Sequence, residues 1–202
     1  MTAADIATEK DMAFASINGA GIHYRVSGRS GNQRIVFVNS LGTDMAIWAD
    51  VEAELLDDFE MLFFDKRGHG LSEVTPDPYS IAQLSRDLAG LLNHCGWRSA
   101  SVCGVSIGGM IAMQFALDEP SRLDRLILMD TAAKIGNPES IAMRIGAIES
   151  QGMAASSEQI LNRWFPPSYR TKTAYAMGGL AANVRAHIAA RLRQHLSRTS
   201  RR

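Results

Sequence analysis

The stretch Ala100-Ser101-Val102-Cys103-Gly104-Val105-Ser106-Ile107-Gly108-Gly109 decides the reading of this chain. A short apolar run, closed by glycine, passes through a single serine into Ile107–Leu117, a segment with the composition of a buried helix. The G-x-S-x-G spacing forces the serine into a tight strand-to-helix bend. Glycine is needed on either side because a side chain there would strike neighbouring backbone. Such a bend lifts the Ser106 hydroxyl above the sheet edge and leaves the Ile107 N–H free at a helix N-terminus. Partial positive charge at that point favours a developing oxyanion. The competing reading is a glycine-rich strand–helix corner in which Ser106 only caps the helix.

Outward from this turn, similar runs alternate with helix-like segments, the pattern of a parallel sheet covered by helices. Strands are expected at Ile35–Asn39, Met61–Asp65, Ala100–Gly104 and Leu126–Asp130, after a hairpin of Phe14–Asn18 and Ile22–Val26 around Gly19 and Gly21. Helices are expected at Ala46–Leu56, Ile81–Cys95 and Ile107–Leu117. Ile81, Leu84, Leu88, Leu91 and Leu92 recur at three- and four-residue spacing, giving one apolar face. From about Asn137 the strand signals stop. Ser140–Gly152 and Ser156–Trp164 read as helices, ended by Pro166-Pro167. Leu180, Val184, Ile188, Leu192 and Leu196 recur every fourth residue, so their row winds around any helix formed there. Three regions follow: a core over 1–136, a partial helical cap over 137–176, and a basic Ala/Arg-rich tail over 177–202, helical or disordered.

The 202 residues carry 21 Lys+Arg and 21 Asp+Glu, a balance that argues against nucleic-acid binding by bulk charge. The balance is uneven along the chain: 1–158 holds 12 basic and 21 acidic residues, a net −9, and 159–202 holds nine basic and none acidic, a net +9. A basic tail of this kind is usually solvated, and an acidic partner surface is the lesser alternative. No window approaches the ~18 apolar residues of a membrane span. The N-terminus has no apolar stretch of the secretory kind. Cys95 and Cys103 fit neither a disulfide framework nor a metal-ligand spacing. They read as buried small hydrophobes in a reducing compartment, and the expected location is the cytoplasm.

Two further motifs stand at strand ends. Val38-Asn39-Ser40-Leu41-Gly42-Thr43, followed by Trp48, has the small residues a bending loop needs, and the Leu41 N–H is the candidate second oxyanion donor. Taken alone it reads better as an ordinary strand–helix turn with Asp44 as a helix cap. Phe64-Asp65-Lys66-Arg67-Gly68-His69-Gly70-Leu71-Ser72 reads as a tight surface turn in which Asp65 and Arg67 can pair; His69 is more readily structural than catalytic.

Together with Pro78-Tyr79-Ser80-Ile81, Leu84 and Asp87, these motifs make residues 14–133 resemble an α/β-hydrolase, and within that fold the 3-oxoadipate enol-lactonase group. The Asn-Ser-Leu-Gly-Thr form narrows the choice, since many hydrolases have a His-Gly pair where this chain has Asn39-Ser40. The cap-like Arg163-Trp164-Phe165-Pro166-Pro167-Ser168-Tyr169 fits the same group, with Trp164 as a pocket residue. The resemblance implies hydrolysis of an enol-lactone, a small-molecule carboxylate, in bacterial breakdown of aromatic acids. Ser106 would be the nucleophile, Leu41 and Ile107 the oxyanion donors, and an arginine the partner of the substrate carboxylate, with no metal or organic cofactor. Other esters, or carbon–carbon bonds cleaved by related hydrolases, are alternatives, as is a non-catalytic ligand-binding module.

In such enzymes the triad follows the order Ser, acid, His. After Ser106 the histidines are His187 and His195, both in the basic tail, and no Asp or Glu follows Glu158. The family's triad Asp and His are thus absent from this chain, with Asp130 a conceivable substitute acid one strand earlier. The expectation is a hydrolase truncated or frameshifted near Ala176, impaired in activity, whose last parallel strand exposes an unpaired, apolar edge.

Overall fold

The computed structural model describes residues 12–137 except 77, and isolated positions between 139 and 168. The expected helices over 140–164 are described at only a few positions. The every-fourth-residue row over 180–196, His187, His195 and the basic tail lie outside the described residues.

Six strands form one sheet: β1 (Ala13–Ile17), β2 (Ala20–Gly28), β3 (Gln33–Val38), β4 (Phe59–Phe64), β5 (Ala100–Val105) and β6 (Leu123–Met129), in the order β1-β2-β4-β3-β5-β6. The first two pair antiparallel, β2 runs antiparallel to β4, and β4, β3, β5 and β6 are parallel. The hairpin turns on Asn18-Gly19, both at positive φ (48° and 75°), so its turn lies earlier than the Gly19–Gly21 centre the sequence suggested. Asparagine and glycine tolerate this conformation because local hydrogen bonding or a missing Cβ removes most of its cost.

Strand alternation divides the core. Val36, Val38, Leu62, Phe64 and Val102 face one side, where α2 (Ile81–His94) packs Leu84, Leu88, Leu91 and Leu92, and α3 (Ile107–Asp118) packs Ile111, Ala112 and Phe115. Ile35, Phe37, Met61, Phe63 and Cys103 face the other, against Met45, Trp48 and the partly buried Val51 and Leu55 of α1 (Ala49–Leu55). The expected helix Ala46–Leu56 therefore opens as a 3-10 turn, Met45–Trp48, capped by the Asp44 carboxylate on the Ala46 N–H at 3.0 Å, before α1 begins. Ser80 caps α2 through the Gln83 N–H at 3.1 Å. Cys103 is buried, whereas Cys95 is only partly so; both are free thiols.

β6 starts three residues earlier than expected and ends the described sheet. Leu126, Ile127, Leu128 and Met129 retain 37, 38, 44 and 43% exposure, the bare apolar edge its sequence position implied. No described helix is long and apolar enough to cross a membrane.

Candidate active site

At the junction of β5 and α3, Ser106 adopts φ 55°, ψ −120°. Such a backbone costs on the order of 1–3 kcal/mol and persists only where its surroundings over-determine it. Here they do. The Ser106 N–H donates to the Met129 carbonyl at 3.0 Å, and the Ser106 carbonyl accepts from Thr131 Oγ1 at 2.6 Å and from the Gly109 N–H at 2.9 Å. The bracketing glycines are sterically required. A Cβ at Gly104 would collide with the backbone of Gly108 and Gly109, one at Gly108 with the carbonyl oxygen of Val38, and one at Gly109 with the Thr131 side chain. The close approach at Gly108 seats the start of α3 directly against the end of β3.

The Ser106 side chain makes no capping hydrogen bond to α3, which rules out the reading in which it is only a helix cap. Ile107 is the first residue of α3, so its N–H has no acceptor within the helix. Ser106 lines an open concavity of about 540 Å³ with Met113, Leu128, Asp130, Thr131, Ala132, Lys134 and Ile135. The cation in that lining is Lys134, where an arginine was expected. Asp130, at φ 45°, shares the wall with Ser106. Trp164, 37% exposed, is not in it.

At the end of β3, Asn39 is fully buried and its side-chain amide donates to the Thr43 carbonyl. Thr43 donates to the Ser40 carbonyl through Oγ1 at 3.0 Å and through its N–H at 3.4 Å. Lys66 Nζ reaches the same carbonyl at 2.9 Å. Thus the loop carrying Leu41 is tied closed by its own residues and by the strand beside it.

The Asp65–Ser72 turn is not the surface feature the sequence suggested. Asp65, Lys66, Arg67 and His69 are exposed by only 1, 1, 3 and 4%. Nor do Asp65 and Arg67 pair as expected. The Asp65 carboxylate takes His23 Nδ1 at 2.7 Å and the N–H groups of Met45 and Leu71 at 2.8 and 2.9 Å. Gly70 is dictated by this packing, because a Cβ there would overlap that carboxylate. Arg67 instead grips Asp87 of α2 with Nε and one terminal nitrogen at 2.8 and 2.9 Å. That hydrogen bonding holds the guanidinium above its ordinary pKa. His69 Nδ1 lies 3.3 Å from the Arg67 carbonyl, within the turn. This buried network joins β2, β4 and α2, and it braces the strand ends on which the loop over 39–43 rests. Sequence reading missed it because its partners, His23 and Asp87, lie 42 and 20 residues away from Asp65 and Arg67.

Residues 33–176 match the model of the α/β hydrolase fold family. The chain is 33% identical over 148 residues to 3-oxoadipate enol-lactonase 2 of Acinetobacter baylyi, covering 73% of this chain and 55% of that protein. It is 29% identical over 154 residues to 3-oxoadipate enol-lactonase 1 of the same organism, covering 76% and 58%. Among solved structures it resembles the enol-lactonase from Burkholderia xenovorans, with TM-score 0.83 and 34% identity over 91% of this chain and 70% of that one. The chain spans just over half the length of these curated relatives.

Proposed function

This chain belongs to the α/β-hydrolase family, and we propose that its site is built for opening an enol-lactone, with Ser106 as nucleophile. The observation that carries the reading is the Ser106 backbone, held at φ 55° with no capping hydrogen bond from its side chain, beside the Ile107 N–H that opens α3 with no acceptor within the helix. In the reaction, Ser106 Oγ adds to the lactone carbonyl. The N–H groups of Leu41 and Ile107 hold the tetrahedral oxyanion, ring opening leaves an acyl-enzyme, and water cleaves it. Lys134 offers a cation to the substrate carboxylate from the same concavity, and Met113, Leu128 and Ile135 its apolar wall. The compartment proposed for this chemistry is the cytoplasm.

Serine is a poor nucleophile until a base removes its proton. Among the described residues, no histidine or carboxylate is hydrogen-bonded to the Ser106 hydroxyl, so none of them takes its proton. Turnover is accordingly expected near the residual level left when a triad member is removed, roughly 10³–10⁴ over water. The test follows the fall in enol-lactone absorbance on adding protein. A Ser106 acyl adduct seen by mass during that slow turnover, and missing from Ser106→Ala, supports the proposal; turnover without any adduct overturns it, because a residual rate of this size survives loss of the serine itself.

A further inference from the structure

We infer that Lys66 is a positioning residue for the oxyanion site, aiming the Leu41 N–H through the peptide that Ser40 and Leu41 share. This rests on the reading of Leu41 as an oxyanion donor. The Ser40 carbonyl and the Leu41 N–H belong to one peptide group, and among the described residues no peptide is cis. In a trans peptide the two point in opposite directions, so whatever fixes the carbonyl fixes the N–H. Three donors converge on that carbonyl: Lys66 Nζ at 2.9 Å, Thr43 Oγ1 at 3.0 Å and the Thr43 N–H at 3.4 Å.

The sheet order supplies the direction. β3 lies between β4 and β5. Lys66 follows the end of β4 and draws the carbonyl towards that side. The opposite side is that of β5, where Ser106 stands and where Gly108 packs on the Val38 carbonyl. The Leu41 N–H is thereby turned towards the nucleophile, and no described acceptor competes for it. Lys66 is 1% exposed, and an ammonium so buried is costly unless its hydrogen bonds repay it. A charge-assisted bond is also stronger and more directional than a neutral one. The cation thus acts through a backbone dipole and does not itself touch substrate.

Phenylboronic acid, whose tetrahedral serine adduct carries oxygen where the oxyanion forms, tests this on the full chain. With ¹⁵N-labelled protein, the Leu41 amide proton is expected to move downfield as the boronate forms at Ser106. In Lys66→Met that movement is lost and boronate affinity falls tenfold or more. In Thr43→Val, which removes one neutral donor from the same carbonyl, the affinity falls less and in the same direction. Should Lys66→Met not fold, Thr43→Val decides alone: an unchanged Leu41 response and affinity overturns the inference. A Leu41 movement of equal size in folded Lys66→Met overturns the role of Lys66 and leaves the oxyanion reading standing. Absence of any Leu41 response in the unaltered chain overturns the oxyanion reading, and this inference with it.

Discussion

At Ser106 a strained backbone, three closely packed glycines and hydrogen bonds to the Met129 carbonyl and from Thr131 fix one hydroxyl in place, so in the proposed reading the nucleophile is chosen by geometry more than by side-chain type. The two cysteines make the contrast. Thiol is intrinsically the better nucleophile, but burial pushes both Cys95 and Cys103 up to about 11, and only a thiolate reacts. Alkylation by iodoacetamide at pH 8 is therefore expected to run at least ~50-fold slower than for free cysteine, whose pKa is about 8.5, and to reach the free rate in urea. The sign of the linked stability follows. Unfolded thiols release their protons first, so the folded state binds more protons between pH 9 and about 11. Stability is lost as pH rises through that window, and below it these thiols contribute no slope. Urea midpoints measured between pH 8 and 11, compared with those of Cys103→Ala, check this; a variant with the same alkaline slope would contradict it for Cys103.

Elements were legible where periodicity was strong and local. The spacing of Leu84, Leu88, Leu91 and Leu92 gave α2 to within one residue, and β3 to β5 emerged as apolar runs because both faces of each are covered. The elbow was legible because its glycines and serine are adjacent in sequence. The buried turn after β4 was not: seven of the nine residues over 64–72 are polar or glycine, which mimics a solvated loop, and only pairing with His23 and Asp87 reveals why it is buried. β6 is the element whose sequence and surroundings disagree. Its apolar residues suit a strand covered on both faces, yet Leu126, Ile127, Leu128 and Met129 are 37 to 44% exposed. An exposed apolar edge is a template for association. Ile127→Lys is expected to lower concentration-dependent light scattering markedly while changing the unfolding free energy by no more than about 0.5 kcal/mol, as at other exposed positions. Unchanged scattering would overturn the assignment of association to this face.

Across the whole molecule, the charge split and the family match fall close together: acids cease after Glu158, and the match to the α/β hydrolase fold runs to residue 176. Within the matched part lie Ser106 and the N–H groups of Leu41 and Ile107, the nucleophile and oxyanion donors of the proposed reading; such donors stabilise charge once it has formed. Missing from the described residues is a base at Ser106, which would generate the nucleophile. These two contributions to catalysis are separable, and an external base should restore one without the other. Imidazole added to the full chain is expected to speed release of nitrophenolate from p-nitrophenyl acetate in proportion to its unprotonated form, rising through pH ~6.5–7.5 as the ring loses its proton. Free imidazole also attacks this ester directly, so the informative quantity is the excess over Ser106→Ala at each concentration. A Ser106-dependent excess linear in imidazole, with acetylation of Ser106 seen by mass, identifies a site complete except for its base. If the unaltered chain and Ser106→Ala respond alike, the elbow contributes nothing to acyl transfer, and its strained geometry serves the fold alone.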